Sequence, residues 1–388
     1  MELVVARKEG LYCPPGDFYI DPWQPVERAV ITHAHGDHAR SGHGHYLAAA
    51  AGAAVLRARL GDIKLQTLDY GAALTIGEVR VSLHPAGHVL GSAQVRIEHR
   101  GEVWVASGDY KLDTDPTCAP FESVRCDTFI TESTFGLPIY RWARSEQTTE
   151  QMLQWWRANA ADARASILFC YAFGKAQRSL AMLAAAAGST RGLDSVGPVY
   201  CHGAVETLNR AYIEAGVALP ATQRVDTSTA PRASRSSSRA FAGALILAPP
   251  SAAGSSWMKR FGDYSDGFAS GWMRLRGARR RRGVDRGFVL SDHADWPSLQ
   301  QAIGASGATR VIVTHGQVAT LVRWLNEQGL DASAFSTEYG DDESDDPSGA
   351  AAEGVSDEAS ARASDDSSND AADDAIISAP GADDELPA

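Results

Sequence analysis

The chain has 388 residues, 44% of them hydrophobic, and a formal net charge of −12, so it exceeds the size at which one core stops growing and two intertwined domains are expected. No 18-residue apolar run is present, and Met1–Lys8 lacks the pattern of a secretory leader, which argues against a spanning helix and for a cytoplasmic chain with no membrane partner. Five cysteines (Cys13, Cys118, Cys126, Cys170, Cys201), odd in number and without a Cys-x-x-Cys pair, read as reduced, packed thiols and exclude a disulfide frame or zinc knuckle.

The first 140 residues are rich in short strand-like runs and glycine turns. Arg28–Thr32 is a short β-branched run that delivers His33-Ala34-His35-Gly36-Asp37-His38. Glu78–Leu83 alternates like a strand and runs into His84-Pro85-Ala86-Gly87-His88, and Glu102–Ala106 leads to Ser107-Gly108-Asp109. Asp127–Ile130 continues into Thr131-Glu132-Ser133-Thr134-Phe135-Gly136. From Glu146 the pattern changes to strand–helix alternation. Helices are expected at Glu146–Arg157, Lys175–Ala187 and Val205–Ala215, with strands at Ala165–Cys170 and Ala244–Ala248 and an exposed loop at Thr227–Arg239. This α/β insertion is about the size of a small domain. Gly287–Leu290 then leads to Ser291-Asp292-His293-Ala294-Asp295, followed by a helix near Pro297–Ile303. A strand at Arg310–Thr314 ends at His315-Gly316, before a last helix at Val318–Gln328.

Four metal-capable side chains thus fall within six residues at a strand's C-terminal end. Residues two apart leaving a strand point the same way, so His33 and His35 can close on one ion, while Asp37 and His38 can face a second. Imidazole with carboxylate suits Zn²⁺, with Mn²⁺ as an option. Taken alone, the stretch reads first as a metal-binding motif and second as a polar, partly exposed histidine-rich loop. Each later strand adds one His or Asp just past its end, where α/β folds build their sites. His43 and His45 lie in a glycine-spaced loop suited to substrate contact or solvation. His84 reads as packed, and His99 and His202 as surface residues.

This arrangement resembles the metallo-β-lactamase fold, with its His-x-His-x-Asp-His motif, a later His, a later Asp and a final His. The resemblance implies His33, His35 and His88 on a first metal, Asp37, His38 and His315 on a second, and Asp109 bridging. Asp21 falls where that family keeps a supporting acid that orients a ligand, and reads equally as a turn residue before Pro22. The stretches around Glu132, Lys175 and His293 look like elements of the β-CASP nucleases. There Glu132 would pair with His293 beside the metals, and Asp37, Glu132 and His293 would carry catalysis. Glu132 and His293 could also simply brace two strands.

Gly10–Asp21, Ser255–Phe261, Gly271–Arg274 and Ser291–Trp296 are similar to the bacterial ligase-associated DNA exonucleases, over residues 1 to about 338. The implied fold class is α/β, a metallo-β-lactamase αββα sandwich with an inserted α/β β-CASP domain. Its first part spans 1–140, the insertion 141–285, the sandwich's C-terminal part 286–338, and a disordered acidic tail 339–388. The implied function is metal-dependent hydrolysis of DNA, as a 5′ exonuclease in repair alongside an ATP-dependent DNA ligase and a helicase. The polarity comes from the resemblance alone. An RNA-processing β-CASP ribonuclease is the alternative, with a small-molecule ester or lactone hydrolase behind it.

Overall acidity misleads about the body. Residues 341–388 hold 16 acids and one Arg, leaving residues 1–340 at +3 from 35 bases and 32 acids. Such a tail cannot bury enough apolar surface to order itself. Arg274, Arg276, Arg279, Arg280, Arg281 and Arg282 concentrate positive charge before His293, and with Lys175 they are the expected nucleic-acid contacts, rather than a solvated charge run. The tail reads as a solubiliser or as a competitor for that basic surface.

Overall fold

A computed structural model describes residues 2–188, 192–226 and 240–337. The expected loop at Thr227–Arg239 and the expected disordered tail from 339 lie outside the described residues. The first sheet takes six strands in chain order: β1 (Val5–Arg7), β2 (Gly10–Cys13), β3 (Phe18–Ile20), β4 (Arg28–Val30), β5 (His45–Ala49) and β6 (Leu65–Leu68). It is antiparallel from β1 to β3 and parallel from β3 to β6. Helix α1 (Ala53–Leu60) follows β5.

A second sheet begins with β7 (Ala73–Ile76), β8 (Val79–Pro85), β9 (Ala93–His99), β10 (Glu102–Ala106) and β11 (Thr128–Ser133). Along β8 the alternate residues Val79, Val81 and Leu83 are fully buried, the two-residue period of a strand with one face on a core. Helix α2 (Ser145–Ala161) then opens a separate layer. It comprises β12 (Ala165–Phe169), α3 (Lys175–Ala186), β13 (Val199–Cys201), α4 (Gly203–Glu214), β14 (Gln223–Arg224), β15 (Leu245–Ala248) and β16 (Tyr264–Ala269), then helix α5 (Arg276–Arg282) and β17 (Arg286–Phe288). These strands form a wholly parallel sheet in the order β14-β13-β15-β12-β16-β17. β12 is buried along its whole length because both its faces are covered. The chain returns through α6 (Trp296–Ser306), β18 (Arg310–Gly316), α7 (Val318–Glu327) and β19 (Asp331–Ala334), and β18 and β19 complete the second sheet beside β11.

The first two sheets face each other across one core, in which Ile20, Val30 and Leu47 meet Val81, Val95, Ile97 and Ile130. Full burial of such a side chain contributes about 1.5–3 kcal/mol. On the far side of the second sheet, Trp296, Ile303, Leu321 and Leu325 of α6 and α7 cover Phe129, Val311 and Val313. On the far side of the first, Ile31, Tyr46 and Ala48 pack with Val55 and Leu56 of α1, and that core continues into α2, α3 and α4. The layering is helix, sheet, sheet, helix, with the parallel sheet's helices joined to one outer face. No helix among the described residues is long and apolar enough to cross a membrane, and all five cysteines are free.

Candidate metal centre

The C-terminal ends of β4, β10, β11 and β18, with the loops after β8 and β17, converge on one carboxylate, that of Asp109. Its Oδ2 lies 3.5 Å from His33 Nε2, 3.4 Å from His38 Nε2 and 3.7 Å from His88 Nε2. His315 Nε2 approaches Oδ1 at 3.2 Å, and His293 Nδ1 lies 3.9 Å from Oδ2. His35 joins through His88, ring nitrogen to ring nitrogen at 3.0 Å. His33, His35, His88 and Asp109 thus form one potential metal-binding group, and His38, Asp109 and His315 a second that shares Asp109. Asp37 is exposed at the rim, its carboxylate 3.6 Å from His38 Nε2.

Local chain geometry makes this convergence possible. Gly108 has φ +57°, and a Cβ there would stand 2.7 Å from the Thr32 side chain, so only glycine lets β10 end this close to β4. The pairing of β11 with β18 shifts register between Thr131 and Ser133, opposite Val313 and Gly316. That bulge puts the extra residue on β18 and sets Glu132 beside Thr314 and His315, re-aiming side chains at the site.

Asp21 sits behind the ligands, at φ +42°. Its carboxylate accepts from the Thr32 backbone N–H at 2.7 Å and lies 2.7 Å from His38 Nδ1, the outer partner that fixes a metal-binding imidazole's orientation. Of its two readings as a supporting acid or a turn residue, its geometry combines both. Behind the other histidines, His88 Nδ1 lies 2.8 Å from the Asp292 carbonyl.

Burial, reinforced by His38, holds His33 well below the ordinary imidazole range, although Asp109 pulls the other way. Burial likewise takes His88 down to about 4, with His293 adding to the effect. Asp109 resists the upward push of burial because His38 and His293 favour its charged form. Neutral His33 and His88 beside an ionised Asp109 are in the protonation states that a divalent ion requires. His33 Nε2 is moreover buried with no hydrogen-bond partner among the described residues, a costly condition that a cation would relieve. The residues therefore fit a metal centre.

Glu132 is buried and ties three groups together. It accepts from the Tyr110 backbone N–H at 2.8 Å and from Thr134 Oγ1 at 2.5 Å, and it lies 3.0 Å from His293 Nδ1. Burial alone would lower His293, but Glu132 and Asp109 outweigh it and raise the imidazole to about 9. The pair sits on the open flank of the cluster, with the His293 side chain 22% exposed.

Other expectations need correction. Lys175 cannot serve as a surface phosphate contact: it is buried, with Nζ 2.5 Å from Asp292 Oδ2. Arg178, one helical turn on, meets Asp292 Oδ1 at 3.2 Å and Asp115 at 3.5 Å. This buried ion network ties α3 to the His293 loop. The spacing of Lys175 and Arg178, three apart on one helix face, is the signal that could have revealed it. His99, expected at the surface, is 6% exposed, with Nε2 3.3 Å from Glu78. His202 is half-buried and caps α4 by accepting from the Ala204 N–H. His43 is buried and accepts from the Val26 N–H, His45 pairs with Glu27, and His84 pairs with Glu122. In the basic stretch, Arg279 Nε donates to the Met273 carbonyl and Arg282 lies over the Phe268 ring. Arg274, Arg276, Arg280 and Arg281 are exposed on or just before α5.

No family model matches the chain. It is 30% identical over 338 residues, 86% of its length, to a protein of Opitutus terrae named "Probable DNA ligase", of which it covers 31%. It is 39% identical over 77 residues to "Endoribonuclease ysh1" of Emericella nidulans, and 27% identical over 122 residues to "Endoribonuclease YSH1" of Eremothecium gossypii. Those stretches are 19% and 31% of this chain, and 9% and 16% of those proteins. The chain thus spans less than a third of the length of these curated relatives. In fold it is similar to a solved protein of unknown function from Enterococcus faecalis, with a TM-score of 0.52 at 12% identity, over 81% of this chain and 80% of that one.

Proposed function

We propose that this chain is a metal-dependent phosphodiesterase of the metallo-β-lactamase and β-CASP class that hydrolyses DNA. The observation that carries the reading is the single carboxylate of Asp109 ringed by four imidazoles, with a Glu132–His293 pair on its open flank. In this reading residues 1–140 and 286–338 form the αββα sandwich, and 141–285 the β-CASP insertion, whose sheet also takes in β17.

His33, His35 and His88 would hold one divalent ion, and Asp37, His38 and His315 the other, with Asp109 shared and Asp21 orienting His38. Zinc suits these ligands best, and manganese is the second option. Such a pair supplies Lewis acidity and neutralises charge at a phosphodiester. The chain's own contribution is the proton. A departing 3′-oxygen is a poor leaving group, and His293, held at Nδ1 by Glu132, can donate to it from Nε2. The buried Glu132 carboxylate favours the charged imidazole and fixes its rotation.

DNA is favoured because most of this chain is similar to a segment of a longer polypeptide named for DNA ligation. In the same reading it is a 5′ exonuclease of the cytoplasm that works beside a ligase, with a helicase of the same pathway, its polarity taken from the family resemblance alone. The matches to endoribonucleases favour RNA as the second reading. The test is to incubate the pure chain, with Mn²⁺ or Zn²⁺, with single- and double-stranded DNA and RNA labelled at either end. Release of the 5′ label from DNA, with RNA cut more slowly, is expected. Preference for RNA would reverse the ranking, and inertness toward every polynucleotide, with activity on esters, would end the proposal.

A further inference from the structure

Next to the Glu132–His293 pair stands an aromatic wall that hydrolysis as described does not use. Phe135, Tyr140 and Trp142 follow β11, and Trp272 comes from the single turn Gly271–Arg274 after β16. The Phe135 centroid lies 4.8 Å from both Trp142 and Trp272 and 6.0 Å from His293. The Trp142 indole N–H donates to the His293 carbonyl at 3.0 Å, and its backbone N–H donates to Asp295 at 2.8 Å. The wall is therefore fixed to the loop that carries His293.

Its burial is uneven. Phe135 and Tyr140 are buried, whereas Trp142 and Trp272 are only half-buried and Ile139 is 53% exposed. A purely structural cluster would turn its largest rings inward, and it would not need exposed arginines at its edges. Here Arg141 and Arg144 flank one side, and Arg274 the other. Half-buried indoles with exposed arginines close to them in the chain, one of which (Arg141) donates from Nε to the Pro138 carbonyl at 3.3 Å, match the composition of surfaces that bind single strands, where bases stack on rings and cations follow the phosphates. In a duplex both faces of every base are covered except in the terminal pairs.

We infer that the wall, through Trp272 above all, stacks an unpaired base beside the scissile phosphate, so that the substrate taken into the site is a single-stranded end. This deepens the phosphodiesterase reading and rests on it for the position of the phosphate, but base stacking can be measured without cleavage.

The test is fluorescence anisotropy on the full, metal-loaded chain with three phosphorothioate-linked probes: a single strand, an abasic strand of the same length, and a blunt duplex. Wild type is expected to bind the single strand more tightly than the other two. Trp272→Ala should weaken single-strand binding by about 5- to 150-fold, the range for losing one stacked base, and leave the abasic strand within about twofold. Trp272→Tyr, which keeps a ring, should stay near wild type. Equal affinity of wild type for base-bearing and abasic strands would overturn the inference even if Trp272→Ala failed to fold. Equal weakening of both strands by a folded Trp272→Ala would do the same, since it would mark a charge or packing effect. Base-dependent binding with no cleavage of any polynucleotide would sink the phosphodiesterase instead.

Discussion

Asp292 is one buried carboxylate serving two buried cations, and neutralising it should be costly. It is 2% exposed, Lys175 is 4% and Arg178 is 1%, and the contacts are 2.5 and 3.2 Å. Asp292→Asn keeps the shape and removes the charge, leaving Arg178 with Asp115 and taking from Lys175 its carboxylate. Breaking a buried pair costs about 3–5 kcal/mol, because the orphaned cation stays out of water. At about 2.1 cal/mol/K per residue, a folded body of about 340 residues moves its melting temperature by about 1.4 °C per kcal/mol. A fall of about 4–7 °C is therefore expected, and Lys175→Met should also lower the melting temperature, by leaving Asp292 with Arg178 as its one remaining cation among the described residues. The double variant removes both charges and should recover most of the loss, since a buried pair replaced as a unit is often neutral. Thermal melts of the four proteins in one buffer measure the cycle. Singles that melt within about 1 °C of wild type, or losses that add in the double variant, would show that the contacts do not hold α3 to the His293 loop.

Three further outcomes follow from the site and the charge distribution. Asp109→Ala should lose metal and activity together, because one carboxylate touches both candidate groups; metal analysis showing an unchanged load would remove its bridging role. His293→Ala should keep its metal but slow cleavage by about 10²–10⁴-fold, as for a lost proton donor, and an emptied centre would refute that division of labour. Ending the chain at Gly340 removes a net −15 and should tighten DNA binding at low salt while leaving hydrolysis intact. An identical binding isotherm would dismiss the tail as a competitor for the basic surface.

The strands and helices that carry the site were legible because each has a strong local period or a clear stop. β10 was placed at Glu102–Ala106, and α3 began at Lys175 as expected. The histidine loop announced itself by density, and the later ligand candidates by standing just past strand ends. The sequence did not reveal which charges turn inward. Lys175 looked like a phosphate contact because it opens a helix, and burial is a property of the partner surface, here Asp292 117 residues away. His99 looked exposed for want of a motif, although as the last residue of β9 it lies beside Glu78 across the sheet. The basic run was visible as charge, but the contacts of Arg279 with the Met273 carbonyl and of Arg282 with the Phe268 ring depend on α5 packing onto the third sheet.

On the proposed reading, the same long-range contacts make the inserted layer part of the chemistry rather than a cover over it. Glu132 comes from the second sheet, whereas His293 comes from the loop by which the chain leaves the third. A proton donor placed between two layers drifts unless both grip it. The second sheet grips the ring through Glu132, and helix α3 grips the backbone through Asp292, whose carbonyl also meets His88. Charges buried at such cost are poor general stabilisers but good locators, because a displacement of about an ångström leaves them unpaired. The ion network thus holds the loop on which His293 Nδ1 stands 3.9 Å from Asp109, and the aromatic wall is hydrogen-bonded to that same loop. A strand stacked on that wall would meet the proposed proton donor in a fixed register, so binding of the end and cleavage beside it would be coupled through one loop.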